Sequence, residues 1–336
     1  MTFSSTKRYS IWHVGLIALL AVCLALATAH FFTGDKSKDT VNSNNTASVA
    51  CNFNVKRLAG YRYVRPLMFV DGECESENLM ATKSKVNGII EAYKRDKGVT
   101  GASMYLRSGT DWINVNEGEQ FEPGSLFKVP VMIAILKMDE DNPGFLNKRV
   151  AYSKVYDVNK KVAYAAKSIV LGQTYTIRQL LEYMIRYSDN NATALLETYM
   201  KPEILQKLFA DLGLEVPNIY AAHYFFTSSQ YSLFIRSIYN AGYLNIDNSE
   251  FAAELLSECE FKDGIMKGLP AGTKVVHKFG EAGNPDELQL HESGIVYLDG
   301  KSYLLTVMTK GKDNKVLSDL IGDISKAVYD DMQAAQ

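Results

Sequence analysis

Three short groups of residues carry side chains that could perform chemistry in this chain. They are Ser125-Leu126-Phe127-Lys128, Ser188-Asp189-Asn190 and Lys278-Phe279-Gly280. A serine hydroxyl is a poor nucleophile until a neighbouring base removes its proton, and a lysine can be that base only when its amine is neutral. In this order and at these distances, the three groups predict the three walls of a serine acyl-transfer site.

The sequence around Ser125 separates it from a chance match to the Ser-x-x-Lys pattern, such as the one at residues 4–7. Pro123 and Gly124 predict a turn, and an apolar run follows directly after Lys128. Proline is tolerated in the first turn of a helix, so Ser125 is expected to open a buried helix, with Lys128 one turn later on the same face. The alternative is a surface serine that caps a helix, followed by a solvated lysine.

The second group follows the end of another apolar helix. Ser188 could relay a proton to a leaving nitrogen, and Asn190 could hold a substrate amide. The alternative is that Ser188, Asp189 and Asn190 cap the following helix, since all three residue types are favoured there.

The third group is expected on a strand. Lys278 could bind a substrate carboxylate and lower the pKa of neighbouring groups, while Gly280 allows two backbones to approach closely. The N–H of Glu281 could then face the N–H of Ser125 and form an oxyanion hole with it. The alternative for Lys278 is an edge-strand lysine that discourages aggregation.

The N-terminal part of the chain predicts export. Residues 1–10 are predicted to be a cytoplasmic tail, which contains the basic pair Lys7-Arg8. The apolar run at 11–32 that follows is long enough to span a bilayer as an anchor. Ala27-Thr28-Ala29 offers a cleavage site, so a removed signal peptide is the alternative. Residues 33–50 then form a flexible linker. The rest of the chain is expected outside the cell membrane, either tethered by a single span or secreted.

The cysteines and the charge restrict the possibilities further. Cys51 and Cys74 are close enough in sequence to form a disulfide after export, the alternative being two free thiols, and Cys259 is expected to be a buried apolar side chain. The four cysteines and five histidines show no zinc-like spacing, so neither a metal nor a cofactor is predicted. A net charge of −2 excludes nucleic acid as an expected partner, and the protein is predicted to be a monomer.

The order of elements predicts an α/β fold of the α+β sandwich type. Strands near both ends of the last 250 or so residues bracket a helical middle, and an antiparallel sheet built from both ends, flanked by the terminal helices and carrying an all-helical lobe, satisfies this pattern. The predicted strands are 99–107, 112–116, 274–279, 293–298 and 301–310, and the predicted helices are 80–95, 175–187, 192–200, 202–212, 228–241 and 316–332. Residues 51–82 form an N-terminal extension, and residues 83–336 form the domain that carries the site.

The three groups and their flanking residues also resemble a known family. Pro-Gly-Ser-Leu-Phe-Lys-Val-Pro, Tyr-Ser-Asp-Asn-Asn-Ala-Thr-Ala-Leu-Leu and His-Lys-Phe-Gly-Glu are similar to the motifs of the class A β-lactamases and penicillin-binding proteins. The resemblance covers the chain from about residue 83 to its end. It implies an acyl-enzyme on Ser125 with Lys128 as base, Ser188 as proton shuttle, and Asn190, Phe279 and Gly280 as substrate contacts. β-Lactams or peptidoglycan-type peptides are the implied substrates.

Two departures from the family pattern bear on turnover. Phe279 stands where the family usually has a threonine or serine that helps to bind the substrate carboxylate. The family loop whose Glu-x-x-x-Asn pattern activates the deacylating water is also missing, because Leu214–Thr227 is too short. Glu215 lacks the pattern and is expected on the surface, and His223 is the other candidate base.

The sequence therefore leaves three functions open: a β-lactamase-like hydrolase, a D-alanyl-D-alanine carboxypeptidase or other wall peptidase, and a non-catalytic descendant that binds peptidoglycan or a partner.

Overall fold

The computed structural model describes residues 51–156, 164, 167–217 and 224–334. The anchor or signal peptide predicted at 11–32, the linker at 33–50 and the candidate base His223 lie outside these residues. In the described part of the chain, no helix combines the length and the apolar character needed to cross a bilayer.

A five-stranded antiparallel sheet forms the centre of the fold. Its strands follow the spatial order β4-β3-β9-β8-β7, so a strand pair from the first part of the domain joins three strands from the last part. The strands are β3 (Val99–Ser108), β4 (Asp111–Val115), β7 (Val275–Asn284), β8 (Glu287–Leu298) and β9 (Lys301–Gly311). The prediction of a sheet built from both ends of the domain is therefore confirmed.

Two long helices cover one face of this sheet. They are α1 (Met80–Lys97) and α8 (Asn314–Ala334), which contact each other and the strands. Val86 and Ile90 of α1 and Leu320 and Ile324 of α8 are fully buried, as the helical spacing of apolar residues requires for helices with one buried face. The sequence-based prediction for the last helix is thus confirmed in both extent and orientation.

The helical lobe packs against the other face and supplies two walls of the site. Thr176 and Thr227 each begin a helix with a capping box, accepting a backbone N–H from Gln179 and Gln230 respectively. The helices are α2 (Lys128–Asp141), α3 (Ile177–Arg186), α4 (Asn190–Glu197), α5 (Pro202–Leu212), α6 (Ser228–Tyr239) and α7 (Ile246–Ser257), with the small sheet of β5 (Arg149–Ala151) and β6 (Thr174–Thr176) beside them. The apolar helix α2 is buried along almost its whole length, so it forms the centre of the lobe.

The N-terminal extension is a hairpin fastened to the domain. Its strands β1 (Phe53–Arg57) and β2 (Leu67–Gly72) pair antiparallel, and a disulfide joins Cys51 to Cys74. Phe69 is buried in the core between the sheet and the lobe. The carboxylate of Asp71 accepts hydrogen bonds from Arg107 on β3 (2.8 Å) and from Arg236 on α6 (2.7 Å). The extension therefore belongs to the same packed body as the domain.

Removing the charge of Asp71 is expected to destabilise the fold. In Asp71→Asn the two arginines, both largely buried, lose their shared anion, and we expect the free energy of unfolding to fall by about 2 kcal/mol. Urea unfolding measures this change. The matched control is Asp96→Asn, because Asp96 pairs with Arg95 on the surface, where solvent screens the charges, and its loss is expected to leave the free energy of unfolding almost unchanged. Equal effects of the two substitutions would contradict the role of Asp71.

Several elements differ from the sequence-based prediction. Helix α7 was not predicted, and β8 begins at Glu287 rather than at Ser293. The first half of β8 contains polar residues that favour a loop when read alone. In the structure Glu292 is fully buried and accepts a hydrogen bond from the backbone N–H of Ile265. Its Oε1 also lies 2.5 Å from Nδ1 of His277. Cys259 is buried and free, as predicted.

Candidate active site

Ser125 lies in a tight turn at the start of the lobe's central helix. The turn is a 3-10 helix over Gly124–Phe127, and α2 begins at Lys128. Ser125 therefore lies at the start of a buried helix, as predicted, although this first turn is a 3-10 helix rather than an α-helix. The N–H of Leu126 donates to the carbonyl of Pro123 (3.0 Å), and Gly124 adopts a φ of +52°, which favours glycine. The tight turn holds Ser125 three residues ahead of Lys128.

Lys128 is the centre of the site. Its Nζ lies 3.1 Å from Ser125 Oγ and 3.1 Å from Ser188 Oγ. It also donates to the carbonyl oxygen of Ser188 (2.5 Å) and to Oδ1 of Asn190 (2.7 Å). Only 4% of Lys128 is exposed to solvent. The structure thus brings together four residues that the sequence placed in two separate groups.

The surroundings of Lys128 favour its neutral amine. Burial lowers its pKa well below the ordinary value for lysine, and the nearby charge of Lys278 lowers the pKa further. Asp189, Glu197 and Glu281 oppose this change by stabilising the ammonium form. When the amine is neutral, its lone pair can accept the proton of the Ser125 hydroxyl across the same 3.1 Å contact.

Ser188 and Asn190 face Lys128, whereas Asp189 supports the backbone between them. Ser188 has a φ of +54°, a left-handed conformation that is costly for a residue with a side chain and is often found at functional sites. Asp189 caps α4 by accepting the N–H of Asn191, and it also accepts from Ser168 Oγ and the N–H of Ile169. The capping interpretation therefore holds for Asp189, whereas Ser188 and Asn190 contact Lys128, and their predicted roles as proton relay and substrate contact stay predictions.

Lys278 closes the site from the edge of the sheet. It lies on β7, which is an edge strand of the sheet. Its side chain is fully buried, however, so it does not have the alternative role of an exposed edge lysine that discourages aggregation. Its Nζ donates to Ser188 Oγ (3.0 Å) and to the carbonyl oxygen of Phe279 (2.9 Å). Burial lowers the pKa of Lys278 to about 8. The hydroxyl of Ser188 therefore lies between two lysine amines.

Gly280 permits β7 to pass close to the turn that carries Ser125. A Cβ added to Gly280 would overlap the carbonyl oxygen of Pro123 and lie 2.7 Å from the backbone N of Leu126. A Cβ on Gly124 would in turn overlap the carbonyl oxygen of Glu281. The backbone of β7 beside Glu281 is thus in contact with the turn, as an oxyanion hole formed by the N–H groups of Ser125 and Glu281 requires.

The side chain of Phe279 does not face the site in the predicted way. Its ring is 4% exposed and stacks on Phe261, with the ring centroids 4.2 Å apart, while Tyr164 packs edge-on against it. The ring also lies 4.1 Å from Lys278 Nζ. The sequence predicted that Phe279 contacts the substrate. In the structure it is instead a core residue that supports Lys278, because an apolar ring at this position is more stable when buried.

Sequence reasoning missed Glu197 as a neighbour of the site. Glu197 lies seven residues after Asn190 on α4, and this spacing places the two side chains on the same face of the helix. Desolvation raises the pKa of its carboxyl, and the charge of Lys128 opposes this rise. The helical spacing from Asn190 was the available signal. Glu215, by contrast, is exposed as predicted.

Replacing Glu197 tests this electrostatic coupling. The charge of Glu197 raises the pKa of Lys128, so Glu197→Gln is expected to lower it. The neutral amine would then persist to lower pH, and the acid limb of the pH dependence of acylation should move to lower pH. Rates of adduct formation measured against pH check this shift. Glu203→Gln, an exposed residue at the start of α5, is the control, and an unmoved acid limb in Glu197→Gln would contradict the coupling.

The residues that the structure describes contain no cluster of three or more histidine, cysteine, aspartate or glutamate side chains able to hold a metal ion. The side chains that the structure brings together at the site are two lysines, two serines and one amide. A hydroxyl hydrogen-bonded to a desolvated amine, beside a second hydroxyl and a second cation, is an arrangement suited to nucleophilic attack on a carbonyl.

Comparison with known proteins agrees with this arrangement. Residues 81–332 match the family model described as the beta-lactamase enzyme family, so the chain belongs to that family. The protein is accordingly a hydrolase of amide bonds. A β-lactamase of Bacteroides uniformis is 26% identical over 259 residues, which cover 70% of this chain and 87% of the relative.

Solved structures show the same fold. A class A β-lactamase of Bacteroides cellulosilyticus superposes with a TM-score of 0.65 at 21% identity, covering 75% of this chain and 99% of that one. A variant of the penicillin-binding protein PBP-A, in an acyl-enzyme complex with penicillin G, has a TM-score of 0.63 at 19% identity and covers 76% and 97%. At these identities the likeness supports the fold, and the activity must be argued from the site.

Proposed function

We propose that the protein forms an acyl-enzyme on Ser125 with β-lactams or related amides. Neutral Lys128 takes the proton of Ser125, and Oγ attacks the substrate carbonyl carbon. The N–H groups of Ser125 and Glu281 stabilise the developing oxyanion. The C–N bond then breaks, Ser188 passes a proton to the leaving nitrogen, and protonated Lys128 replaces that proton. Water finally cleaves the ester and restores the Ser125 hydroxyl.

One observation carries this proposal: Lys128 Nζ lies 3.1 Å from both Ser125 Oγ and Ser188 Oγ. A single buried amine can therefore receive the nucleophile's proton and return it through the second hydroxyl. The capping and surface interpretations of the sequence do not require this contact, because a cap bonds to backbone N–H groups and a surface lysine is solvated.

We expect the acyl-enzyme to be released slowly. The missing Glu-x-x-x-Asn loop removes the carboxylate that activates the deacylating water in class A enzymes, and Glu215 is exposed. The three carboxylates that affect Lys128 act on its charge through space, and they are Asp189, Glu197 and Glu281. Acylation requires Ser125, Lys128 and Ser188, which the structure places together, so acylation is expected to outpace deacylation.

Intact-mass spectrometry of residues 51–336 mixed with benzylpenicillin tests this proposal. We expect a penicilloyl adduct that forms on Ser125 and persists, and that is absent from Ser125→Ala. Rapid loss of the adduct with accumulation of penicilloate would instead indicate an efficient β-lactamase with a deacylation base. Absence of any adduct on folded protein would contradict acyl-enzyme formation with β-lactams and favour a non-catalytic binding role.

The second candidate is a wall peptidase, such as a D-alanyl-D-alanine carboxypeptidase. The slow deacylation expected above favours it, and the structural likeness to PBP-A supports it at the level of fold. Release of D-alanine from a peptide ending in D-alanyl-D-alanine would distinguish this activity from β-lactam hydrolysis. The buried Phe279 supplies no hydroxyl for the carboxylate that penicillins and D-alanyl-D-alanine peptides both carry, so it does not distinguish the two candidates.

We also propose that the domain acts outside the cell membrane, as a monomer held by an uncleaved N-terminal span or secreted after cleavage. The apolar run at 11–32 supports export. The Cys51–Cys74 disulfide supports an oxidising compartment, because disulfides rarely persist in the reducing cytosol. Fractionation of cells followed by protease accessibility of the domain would test both the location and the anchor.

A further inference from the structure

A cavity beside β2 of the extension has no role in the proposed chemistry. Its volume is about 550 Å³, within the range of small-molecule sites. It is enclosed by β2 of the extension, the turn between β3 and β4, the end of α6, and parts of β8 and β9. None of the residues that bind Lys128 or Lys278 lines it. Binding there would therefore be separate from the acylation site.

The walls of this cavity combine apolar surface with positive charge. Phe69, Ile295 and Leu304 contribute apolar side chains, and Arg107 and Arg236 contribute guanidinium groups. Lys301 adds a third basic side chain, and no acidic residue is among those that line the cavity. Asp71 pairs with both arginines and balances one of their two charges. The arginine cluster at the cavity wall therefore keeps one net positive charge in a partly desolvated place.

Arg236 retains hydrogen-bond donors that the fold does not use. A guanidinium has five N–H groups. Within the described residues, Arg236 donates from Nη2 to Asp71, and Arg107 donates from Nη1 to Asp71 and from Nη2 to the carbonyl of Val70. Nε and Nη1 of Arg236 make no hydrogen bond to a described residue, and neither atom is completely buried. They are available to a ligand.

We propose that this cavity binds a small organic carboxylate with an apolar body. The carboxylate would receive hydrogen bonds from the unused N–H groups of Arg236, because the planar guanidinium matches two carboxylate oxygens. The apolar body would lie against Phe69, Ile295 and Leu304, where burial of its surface is favourable. An inorganic anion would use only the first of these contacts and should bind more weakly.

The position of the cavity connects its occupancy to the stability of the extension. Arg107 and Arg236 hold Asp71 of β2, and Phe69 of the same strand lines the cavity. A ligand that binds the folded protein raises its unfolding temperature by mass action. Binding should also slow amide hydrogen exchange in β2 and in the last turn of α6, which both line the cavity.

Isothermal titration of the 51–336 protein with octanoate tests this proposal, with octanamide as a neutral analogue of the same shape and inorganic phosphate as an anion without an apolar body. We expect octanoate to bind at least about tenfold more tightly than octanamide, because a charge-assisted hydrogen bond to arginine is lost in the amide. Octanoate should also raise the unfolding temperature and protect β2 in hydrogen exchange.

Two variants locate the binding. Arg236→Met should abolish the preference for octanoate over octanamide, and Thr110→Trp, at an exposed position on the cavity wall, should weaken both ligands without disturbing the arginines. Both variants should still be acylated by benzylpenicillin at the rate of the unchanged protein. Equal binding of acid and amide, no octanoate binding, tightest binding of phosphate, or unchanged octanoate binding in Thr110→Trp would each overturn the proposal. If Arg236→Met does not fold, Thr110→Trp and the comparison of ligands still decide it.

Discussion

Replacing Lys128 with methionine is expected to reduce the rate of Ser125 acylation by about 10³-fold, within the range that general-base catalysis contributes. Methionine has a similar length and fills the buried position, but it has no amine to accept the Ser125 proton. The rate of penicilloyl adduct formation, measured by intact-mass spectrometry at several times, checks this result. Circular dichroism and the unfolding temperature show whether the variant is folded.

Lys128→Arg separates the role of the base from that of the positive charge. Arginine keeps the cation, but its guanidinium does not lose a proton in proteins, so acylation should be lost in this variant as well. Lys137→Met is the matched control, because Lys137 lies on the same helix and contacts Glu140 and the carbonyl of Tyr243, away from Ser125. Rapid acylation in folded Lys128→Arg would remove this lysine from the mechanism.

Gly280→Ala is expected to slow acylation by about 10²-fold, the size of effect that follows from a displacement of reacting groups by about 1 Å. The added Cβ would overlap the carbonyl oxygen of Pro123 and approach the backbone N of Leu126, so β7 and the turn that carries Ser125 must move apart. The proposed oxyanion hole, formed by the N–H groups of Ser125 and Glu281, would then be disrupted. Adduct formation and urea unfolding, which we expect to show a loss of about 1–3 kcal/mol, measure the two consequences.

Gly88→Ala is the control for this substitution. Gly88 lies within α1, and a Cβ added there meets no atom within 4 Å. Alanine should therefore stabilise the helix by about 0.5–1 kcal/mol without changing acylation. Unaltered acylation in Gly280→Ala would show that the close approach of β7 to the turn is not needed for the reaction.

Much of the fold could be predicted because its elements follow local rules. The predicted helix 202–212 has the observed bounds, and its start at Pro202 and end before Gly213 follow from the conformational preferences of those residues. The hairpin between β8 and β9 was recognised from Asp299-Gly300. The first half of β8 was missed because Glu292 is charged in sequence but buried and paired in the structure, and only the folded chain provides its partners.

The sequence by itself determined which residues could do chemistry: a serine and a lysine three positions apart at a helix start, and two further polar groups in a fixed order. The tertiary structure decided which of those residues are in contact and which are buried. It desolvates Lys128 between Ser125 and Ser188, turns Phe279 into the core, and brings Glu197 within electrostatic reach. These properties depend on burial and on distances between segments remote in sequence, and no local pattern specifies either.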